Sequence, residues 1–272
     1  MGLRRRPLGQ TGLVVPELGL GAMDTPTSPE GLATLAAAMD LGIEFFDTAR
    51  DYEGSEFLLA DAIRGHRGGG DLVIASKTFS RTADGSQWDV DRSLRVLGLE
   101  TISLYQLHDV RTAEDWEQVT AEGGALVGLQ TAQYRGLVAH IGLSTHNLEI
   151  ARDAIDSGLF ATIMLEYSAF YPESAALIER AATAGIGVIA MRPLGGSGRT
   201  SVIRRTVAEG TAGPLTPANL LRYVLTNPGV GVAIPGARFP DRVRENVATA
   251  SAYAPLSDQE RRELERAAAE LY

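Results

Sequence analysis

Four polar side chains in the first half of the chain carry groups that can transfer a proton or stabilise charge: Asp47, Tyr52, Lys77 and His108. Lys77 is the only lysine among 25 basic side chains, which suggests a site that needs a compact ammonium rather than any surface cation. An ammonium about 4 Å from a phenolate stabilises it by roughly 4 kcal/mol at an effective dielectric of about 20. That would bring a tyrosine pKa from about 10 to near neutrality. We therefore predict that Lys77, with Asp47 as its countercharge, makes Tyr52 a general acid and base.

His108 completes this group, because an imidazole N–H can orient a substrate carbonyl and stabilise the negative charge that grows on its oxygen. A proton donor, a charge that supports it and a hydrogen-bond donor for the carbonyl together indicate carbonyl reduction. Two other classes stay open from the residues alone. Lys77 could form a Schiff base with a carbonyl substrate, as in lyases and aldolases. A chain that binds a cofactor without turnover would instead be a non-catalytic regulatory subunit.

Short apolar runs alternate with amphipathic helical patterns along the chain, which is typical of βα units around a parallel sheet. Eight such units in 272 residues predict an α/β protein with one domain over residues 1–272, a (β/α)8 TIM barrel. An extra C-terminal helix is predicted over Ser257–Leu271. Active sites of this fold lie at the carboxyl ends of the strands, where Asp47, Lys77 and His108 stand. The predicted strands are Glu17–Met23, Ile43–Thr48, Leu72–Lys77, Ile102–His108, Val138–Ser144, Thr162–Tyr167, Gly187–Met191 and Val230–Pro235.

Local signals at Ser28, Thr216 and Ser257 predict helix starts, the last as a capping box with Glu260. The glycine clusters are interpreted by position. Gly68–Gly70 precedes the third strand and is predicted to be a turn, whereas Gly195, Gly196 and Gly198 follow the seventh strand, where barrels commonly bind phosphate. No G-x-G-x-x-G motif follows the first strand, so a dinucleotide would not bind in the Rossmann manner.

Composition excludes several function classes. The chain has no cysteine, which rules out disulfides, thiolate metal sites and cysteine nucleophiles. A formal charge of −9 without a basic stripe argues against nucleic acid, and apolar runs such as Val230–Ile234 are too short for a membrane helix. We expect a cytoplasmic protein that binds a small-molecule carbonyl or alcohol and no metal. His66 and His140 are interpreted as structural, and His146 as a contact of cofactor or substrate.

Several segments resemble the motifs of the aldo-keto reductase family, in family order and over nearly the whole chain. They are Leu8–Leu13, Phe46–Ala49 with Tyr52 and Glu56, Ser76–Lys77, Leu104–His108, Ile141–Ser144, Met191–Gly195, and Ile234–Gly236 with Arg242, Glu245 and Asn246. The resemblance implies that Tyr52 is the proton donor, that Lys77 and Asp47 support it, and that His108 orients the carbonyl.

The resemblance also implies an extended NADPH or NADP+ across the barrel mouth. Ser144 would lie near the nicotinamide carboxamide, and the loop from Arg192 to Gly198 around the pyrophosphate. The adenosine end would be surrounded by Arg238, Arg242, Glu245 and Asn246. The complete set of implied contacts is Met23, Asp47, Ser144, Thr145, Met164, Met191, Arg192, Pro193, Leu194, Gly195, Gly196, Gly198, Arg238, Arg242, Glu245 and Asn246.

Some positions depart from the family pattern. Thr145, Met164 and Met191 stand where the family often has asparagine, glutamine and an aromatic residue. Gly236 and Ala237 replace a lysine and serine common in NADP-preferring members. Recognition of the 2′-phosphate would then fall to Arg238 and Arg242, whose guanidinium groups suit phosphate, so NADPH is expected rather than NADH.

Overall fold

Parallel strands form the centre of the structure, and each is followed by at least one helix on the outside. The computed structural model describes residues 2–66, 71–211 and 213–271, and the predicted Gly68–Gly70 turn lies outside them. Two short strands, β1 (Arg5–Pro7) and β2 (Val14–Pro16), pair as an antiparallel hairpin. The barrel strands are β3 (Leu20–Gly21), β4 (Phe45–Asp47), β5 (Val73–Thr78), β6 (Ile102–Leu107), β7 (Val138–Ser144), β8 (Thr162–Glu166), β9 (Gly187–Met191) and β10 (Val232–Ile234).

The barrel sheet runs in chain order from β3 to β10 and closes between these two end strands. The backbone N–H of Gly19 donates to the Ala233 carbonyl at 2.9 Å, and the N–H of Ala233 donates to the Glu17 carbonyl at 2.9 Å. Gly19 permits this approach, because a Cβ there would lie 3.0 Å from Cγ2 of Val232 on β10. The predicted eight-stranded barrel is confirmed across the described part of the chain.

The first barrel strand is shorter than the predicted Glu17–Met23. Its regular part is β3 alone, and Met23 lies in a 3-10 turn over Ala22–Asp24. The hairpin of β1 and β2 was not among the predicted strands, since three-residue strands give too short an alternation to detect. Leu8 and Val15 of this hairpin are fully buried against the barrel interior, where they close the amino-terminal end.

Helices surround the barrel, and the predicted starts at Ser28, Thr216 and Ser257 are confirmed by side-chain caps. The predicted C-terminal helix is also confirmed. No helix in the described ranges is long and apolar enough to span a membrane. The helices are α1 (Pro29–Asp40), α2 (Ser55–Gly65), α3 (Ala83–Leu97), α4 (Ala113–Thr120), α5 (Ala125–Tyr134), α6 (Leu148–Ser157), α7 (Ala175–Thr183), α8 (Ser197–Ala208), α9 (Pro217–Thr226), α10 (Pro240–Ala252) and α11 (Asp258–Glu270).

Strand alternation explains why polar side chains reach the barrel mouth. On β5, Val73 and Ala75 belong to the inner core cluster, whereas Ile74 packs in the outer cluster beneath the helices. Because side chains alternate with a period of two, Lys77 points inward like Val73 and Ala75. The same alternation on β4 places Phe45 and Asp47 on the inner side. The inner core is therefore apolar at the amino-terminal end and polar at the carboxyl end.

Candidate active site

The four residues predicted to do chemistry meet at the carboxyl end of the barrel, because β4, β5 and β6 are neighbours. Lys77 Nζ donates to Asp47 Oδ1 at 2.6 Å and to the carbonyl oxygen of Thr48 at 2.7 Å. It lies 3.5 Å from the Tyr52 hydroxyl. That hydroxyl in turn lies 3.5 Å from His108 Nε2. The structure thus brings together all four predicted side chains.

Buried polar contacts hold the loop that carries Tyr52. Glu56 is 1% exposed and accepts hydrogen bonds from Ser76 Oγ at 2.7 Å and Ser93 Oγ at 2.6 Å. Its second carboxylate oxygen binds Arg50 Nη1 at 2.8 Å. The backbone N–H of Arg50 also donates to the Lys77 carbonyl at 3.1 Å. Both ends of the segment between Arg50 and Glu56 are therefore anchored to β5 and α3, and Tyr52 lies between them.

The prediction that Lys77 lowers the pKa of Tyr52 is wrong for this structure. Burial raises the pKa of the Tyr52 phenol above its usual value, and the nearby carboxylates of Asp47, Asp51 and Asp109 raise it further. Arg192 opposes this rise. Lys77 cannot dominate, because Asp47 neutralises its charge at 2.6 Å. Tyr52 consequently keeps its proton at neutral pH.

Asp47 is buried at the base of the site, where Lys77 and Gln106 bind separate oxygens of its carboxylate. Gln106 Nε2 donates to Asp47 Oδ2 at 3.3 Å. Burial raises the pKa of the Asp47 carboxyl, and the charge and hydrogen bond of Lys77 oppose that rise. Lys77 itself is fully buried, and it is not among the described residues that line the cleft above.

His108 is fixed from several sides. Its Nδ1 lies 2.9 Å from Asp51 Oδ1. Its ring packs against the Phe79 ring with centroids 4.3 Å apart. Its backbone carbonyl accepts from Arg81 Nη1 at 2.9 Å. These contacts aim Nε2 at the Tyr52 hydroxyl and the cleft.

A cleft of about 840 Å³ opens above these residues and extends across the barrel mouth. Tyr52 and His108 line its floor, and most of the predicted cofactor contacts line the remainder. Those predicted residues are Met23, Asp47, Ser144, Met164, Met191, Arg192, Pro193, Leu194, Gly196, Gly198, Arg238 and Arg242. His146 lines the cleft too, and its ring is bonded to Glu166.

Four predicted cofactor contacts do not line this cleft. Thr145 is buried, and its hydroxyl donates to the Val110 carbonyl at 2.6 Å. Gly195 faces the Phe170 ring, which a Cβ would approach to 2.6 Å. Asn246 is buried in α10. Glu245 is bound by Arg204 at 2.7 Å and Arg242 at 2.6 Å, so its carboxylate is occupied by protein cations.

The glycine-rich turn after β9 suits a phosphate group. Gly196 caps the amino terminus of α8 with a φ of 90°, and the nearest atom to a Cβ there is 3.7 Å away. Gly198 has nothing within 4 Å of that position. Backbone N–H groups at a helix start bind anions, and guanidinium groups pair with phosphate. The cleft presents both, since Arg192, Arg204, Arg238 and Arg242 also line it. These donors fit the phosphates of a dinucleotide.

Several cleft residues escaped the sequence prediction. Phe79 directly follows β5 and Asp109 lies two residues beyond the end of β6, so the strand-end rule that identified Lys77 and His108 could have included them. Asp51 and Arg204 carry no local signal. Asp109 and Arg192 have positive φ values of 54° and 51°, which for residues other than glycine is uncommon and concentrates at functional sites. The remaining cleft residues outside the prediction include Asp24, Arg111, Ser197, Thr200, Ser201 and Phe239.

The other histidines lie apart from this chemistry. His66 Nδ1 lies 4.0 Å from Asp40, and His140 lies on β7, where burial lowers its pKa. In the part of the chain that the structure describes, no group of three or more acidic or histidine side chains is arranged to hold a metal ion.

Comparison with known proteins decides the family. The sequence profile of the aldo/keto reductase family matches residues 17–212, more than half of the chain. The chain belongs to the aldo/keto reductase family. The oxidoreductase YqkF of Bacillus subtilis (strain 168), itself uncharacterized, is 27% identical over 92% of each protein.

Solved aldo-keto reductases share the barrel. A crystal structure of PA4992 from Pseudomonas aeruginosa is 30% identical with a TM-score of 0.73, and the match covers 91% of this chain and 94% of that one. The aldo-keto reductase AKR11C1 from Bacillus halodurans has a TM-score of 0.77 at 24% identity, with 97% and 96% covered, which shows the common fold. The family predicted from the motifs is confirmed, and the chain is an oxidoreductase of the aldo-keto reductase kind.

Proposed function

We propose that this aldo-keto reductase reduces an aldehyde or ketone with NADPH, and oxidises the corresponding alcohol with NADP+, using Tyr52 as general acid and base. The observation that carries the proposal is the position of the Tyr52 hydroxyl, 3.5 Å from both Lys77 Nζ and His108 Nε2 on the cleft floor. A bound nicotinamide dinucleotide supplies the hydride.

The residues of the chain transfer the proton and stabilise the charge that forms. Because burial and neighbouring carboxylates raise the pKa of Tyr52, its phenol is protonated when the substrate binds. The alkoxide formed from a carbonyl is a stronger base than a phenolate, and it takes the phenol proton. Lys77 then stabilises the phenolate, and Asp47 holds Lys77 in place. In the reverse direction the phenolate removes the alcohol proton.

We further propose that the dinucleotide lies along the cleft with its phosphates at the start of α8. Arg238 and Arg242 stand at the end of the cleft beside α10 and are 63% and 38% exposed, so they can meet the 2′-phosphate that distinguishes NADPH from NADH. A single catalytic domain and a cytoplasmic location are parts of the same proposal.

The test is a panel of aldehydes, ketones and alcohols, followed by nicotinamide absorbance with both dinucleotides. We expect reduction of some carbonyl with NADPH, loss of turnover in Tyr52→Phe, and retention in Tyr134→Phe. Tyr134 is the matched control, since it is 94% exposed and not among the cleft residues. Full turnover in Tyr52→Phe would remove the mechanism.

The two competing functions predict different results. A Schiff base on Lys77 would be trapped by borohydride without any nicotinamide. The geometry disfavours it, because the ammonium is fully buried and already bonded to Asp47 and the Thr48 carbonyl. A non-catalytic cofactor-binding subunit would bind NADPH and turn over no carbonyl or alcohol.

A further inference from the structure

Adjacent residues bind the two ring nitrogens of His108. Asp51 Oδ1 lies 2.9 Å from Nδ1, and the Tyr52 hydroxyl lies 3.5 Å from Nε2. The rings of Tyr52 and His108 meet edge to face at 78°, with centroids 5.5 Å apart. A carboxylate beside the catalytic tyrosine therefore contacts the residue expected to orient the substrate carbonyl.

Donor counting sets the protonation of the ring. An ionised carboxylate only accepts hydrogen bonds, so Nδ1 must carry a proton to bind Asp51. A neutral imidazole has a single N–H, and Nε2 would then present a lone pair to the cleft. A lone pair cannot donate to a carbonyl oxygen. His108 can therefore donate to substrate only when Nε2 carries a second proton and the ring is an imidazolium.

We propose that Asp51 is a positioning residue that holds His108 with a proton on Nδ1 and stabilises its imidazolium, which is the form that donates to the substrate carbonyl. The inference rests on the proposed function and adds a residue to it. The Asp51 side chain is 35% exposed at the cleft, whereas the His108 side chain behind it is only 9% exposed. Solvent protons thus have access to one end of the pair.

The proton balance of reduction follows from this arrangement. The hydride of the proposed reaction brings the electron pair to the carbonyl carbon, and the Tyr52 proton moves to the oxygen. The Nε2 proton of His108 then moves to the Tyr52 phenolate. The ring is left as a neutral imidazole whose Nδ1–H still donates to Asp51. A solvent proton restores the imidazolium.

Other charged groups surround the ring and must be separated from Asp51 in any test. They are Tyr52 on Nε2, the Lys77–Asp47 pair behind Tyr52, Arg81 on the His108 carbonyl, and Asp109 next in the chain. Asp109 provides the matched control for the measurement of the ring tautomer. Its carboxylate also lines the cleft, but it binds Arg111 Nε at 2.6 Å instead of His108.

The first experiment reads the proton position directly in the enzyme without ligands. Ring 15N chemical shifts identify the histidine tautomer, and with four histidines in the chain a His108→Gln variant assigns the signals. We expect neutral His108 to be protonated on Nδ1 in the wild type and in Asp109→Asn. In Asp51→Asn we expect the Nε2–H tautomer to appear, because an amide can also donate to Nδ1. A wild-type ring protonated on Nε2 alone would overturn the inference.

The second experiment measures kcat/KM for carbonyl reduction against pH. We expect the wild type and Asp156→Asn, a control whose carboxylate binds Arg180 and is not among the cleft residues, to lose activity as pH rises, because the imidazolium that donates to the carbonyl is then deprotonated. Near pH 6, kcat/KM of Asp51→Asn should be about 10- to 100-fold lower than that of the wild type, the loss expected when a hydrogen bond to a charged group is removed. Its profile should be flatter, because the neutral Nε2–H tautomer can donate at any higher pH. A wild-type rate and profile in Asp51→Asn would contradict the role. Absence of all turnover in the wild type would instead defeat the proposed function, and the tautomer measurement would still decide the inference.

Discussion

Lys77 donates to Asp47 across 2.6 Å between adjacent strands, and both side chains are buried. The same ammonium is farther from Tyr52, at 3.5 Å. Lys77 therefore acts mainly as the ion-pair partner of Asp47 and only secondarily as a support for the Tyr52 phenol. This order explains why the Tyr52 pKa rises in the structure although a lysine lies next to it.

Removing one partner of this ion pair is expected to destabilise the protein. Lys77→Met should lower the free energy of unfolding by about 3–5 kcal/mol, because Asp47 would remain buried without its counterion. The double variant Asp47→Leu/Lys77→Met should recover part of that loss while remaining inactive. Urea unfolding followed by circular dichroism measures both. A single variant as stable as the wild type would show that water reaches Asp47.

Tyr52→Phe removes the proton donor and leaves the shape of the cleft unchanged. We expect kcat for carbonyl reduction to fall by about 10²- to 10⁴-fold, the usual contribution of general acid catalysis. The Kd for NADPH, measured by fluorescence, should stay within about twofold, a range well below the tenfold that corresponds to 1.4 kcal/mol. A parallel loss of cofactor binding would mean that Tyr52 acts in assembling the site.

The raised pKa of Tyr52 makes a prediction about pH. A group whose pKa is raised on folding stays protonated below its unfolded value, and its stabilising contribution is lost only as pH rises through the higher folded value. Tyr52 should therefore not ionise below about pH 10, the ordinary value for tyrosine. Tyrosinate absorbance of the wild type and of Tyr52→Phe should coincide up to that pH. An additional tyrosinate near neutrality in the wild type would show that Lys77 dominates after all.

Two arginines are expected to determine dinucleotide preference. Arg238→Ala and Arg242→Ala should each raise the Kd for NADPH by about tenfold or more, since a hydrogen bond to a charged group contributes about 1.5–3 kcal/mol. The Kd for NADH should change much less, because it lacks the 2′-phosphate. Arg180→Ala serves as control, since Arg180 lies on α7 in an ion pair with Asp156 and is not among the cleft residues. Equal losses of affinity for both dinucleotides would show that the arginines contact a part of the cofactor other than the 2′-phosphate.

Much of the fold was predictable because its signals are local. Alternating βα patterns, strand-end positions and caps such as Ser28 depend on residues close in sequence, and the barrel and its helix starts are confirmed. The first strand and the amino-terminal hairpin were less predictable. The first barrel strand pairs through residues such as Gly19 and Ala233, far apart in the chain, and each hairpin strand has only three residues, so neither leaves a periodic run.

By itself, the sequence determined the barrel, its family and the three strand ends that carry Asp47, Lys77 and His108, because strand order alone brings those ends to one edge. Only the tertiary structure decided the sign of the Tyr52 pKa shift, since that shift sums burial and every nearby charge. It also decided that Asp51 reaches His108 and that Glu245 is bound by arginines from two helices. Distances between groups remote in sequence set these energies, and no local pattern encodes such distances.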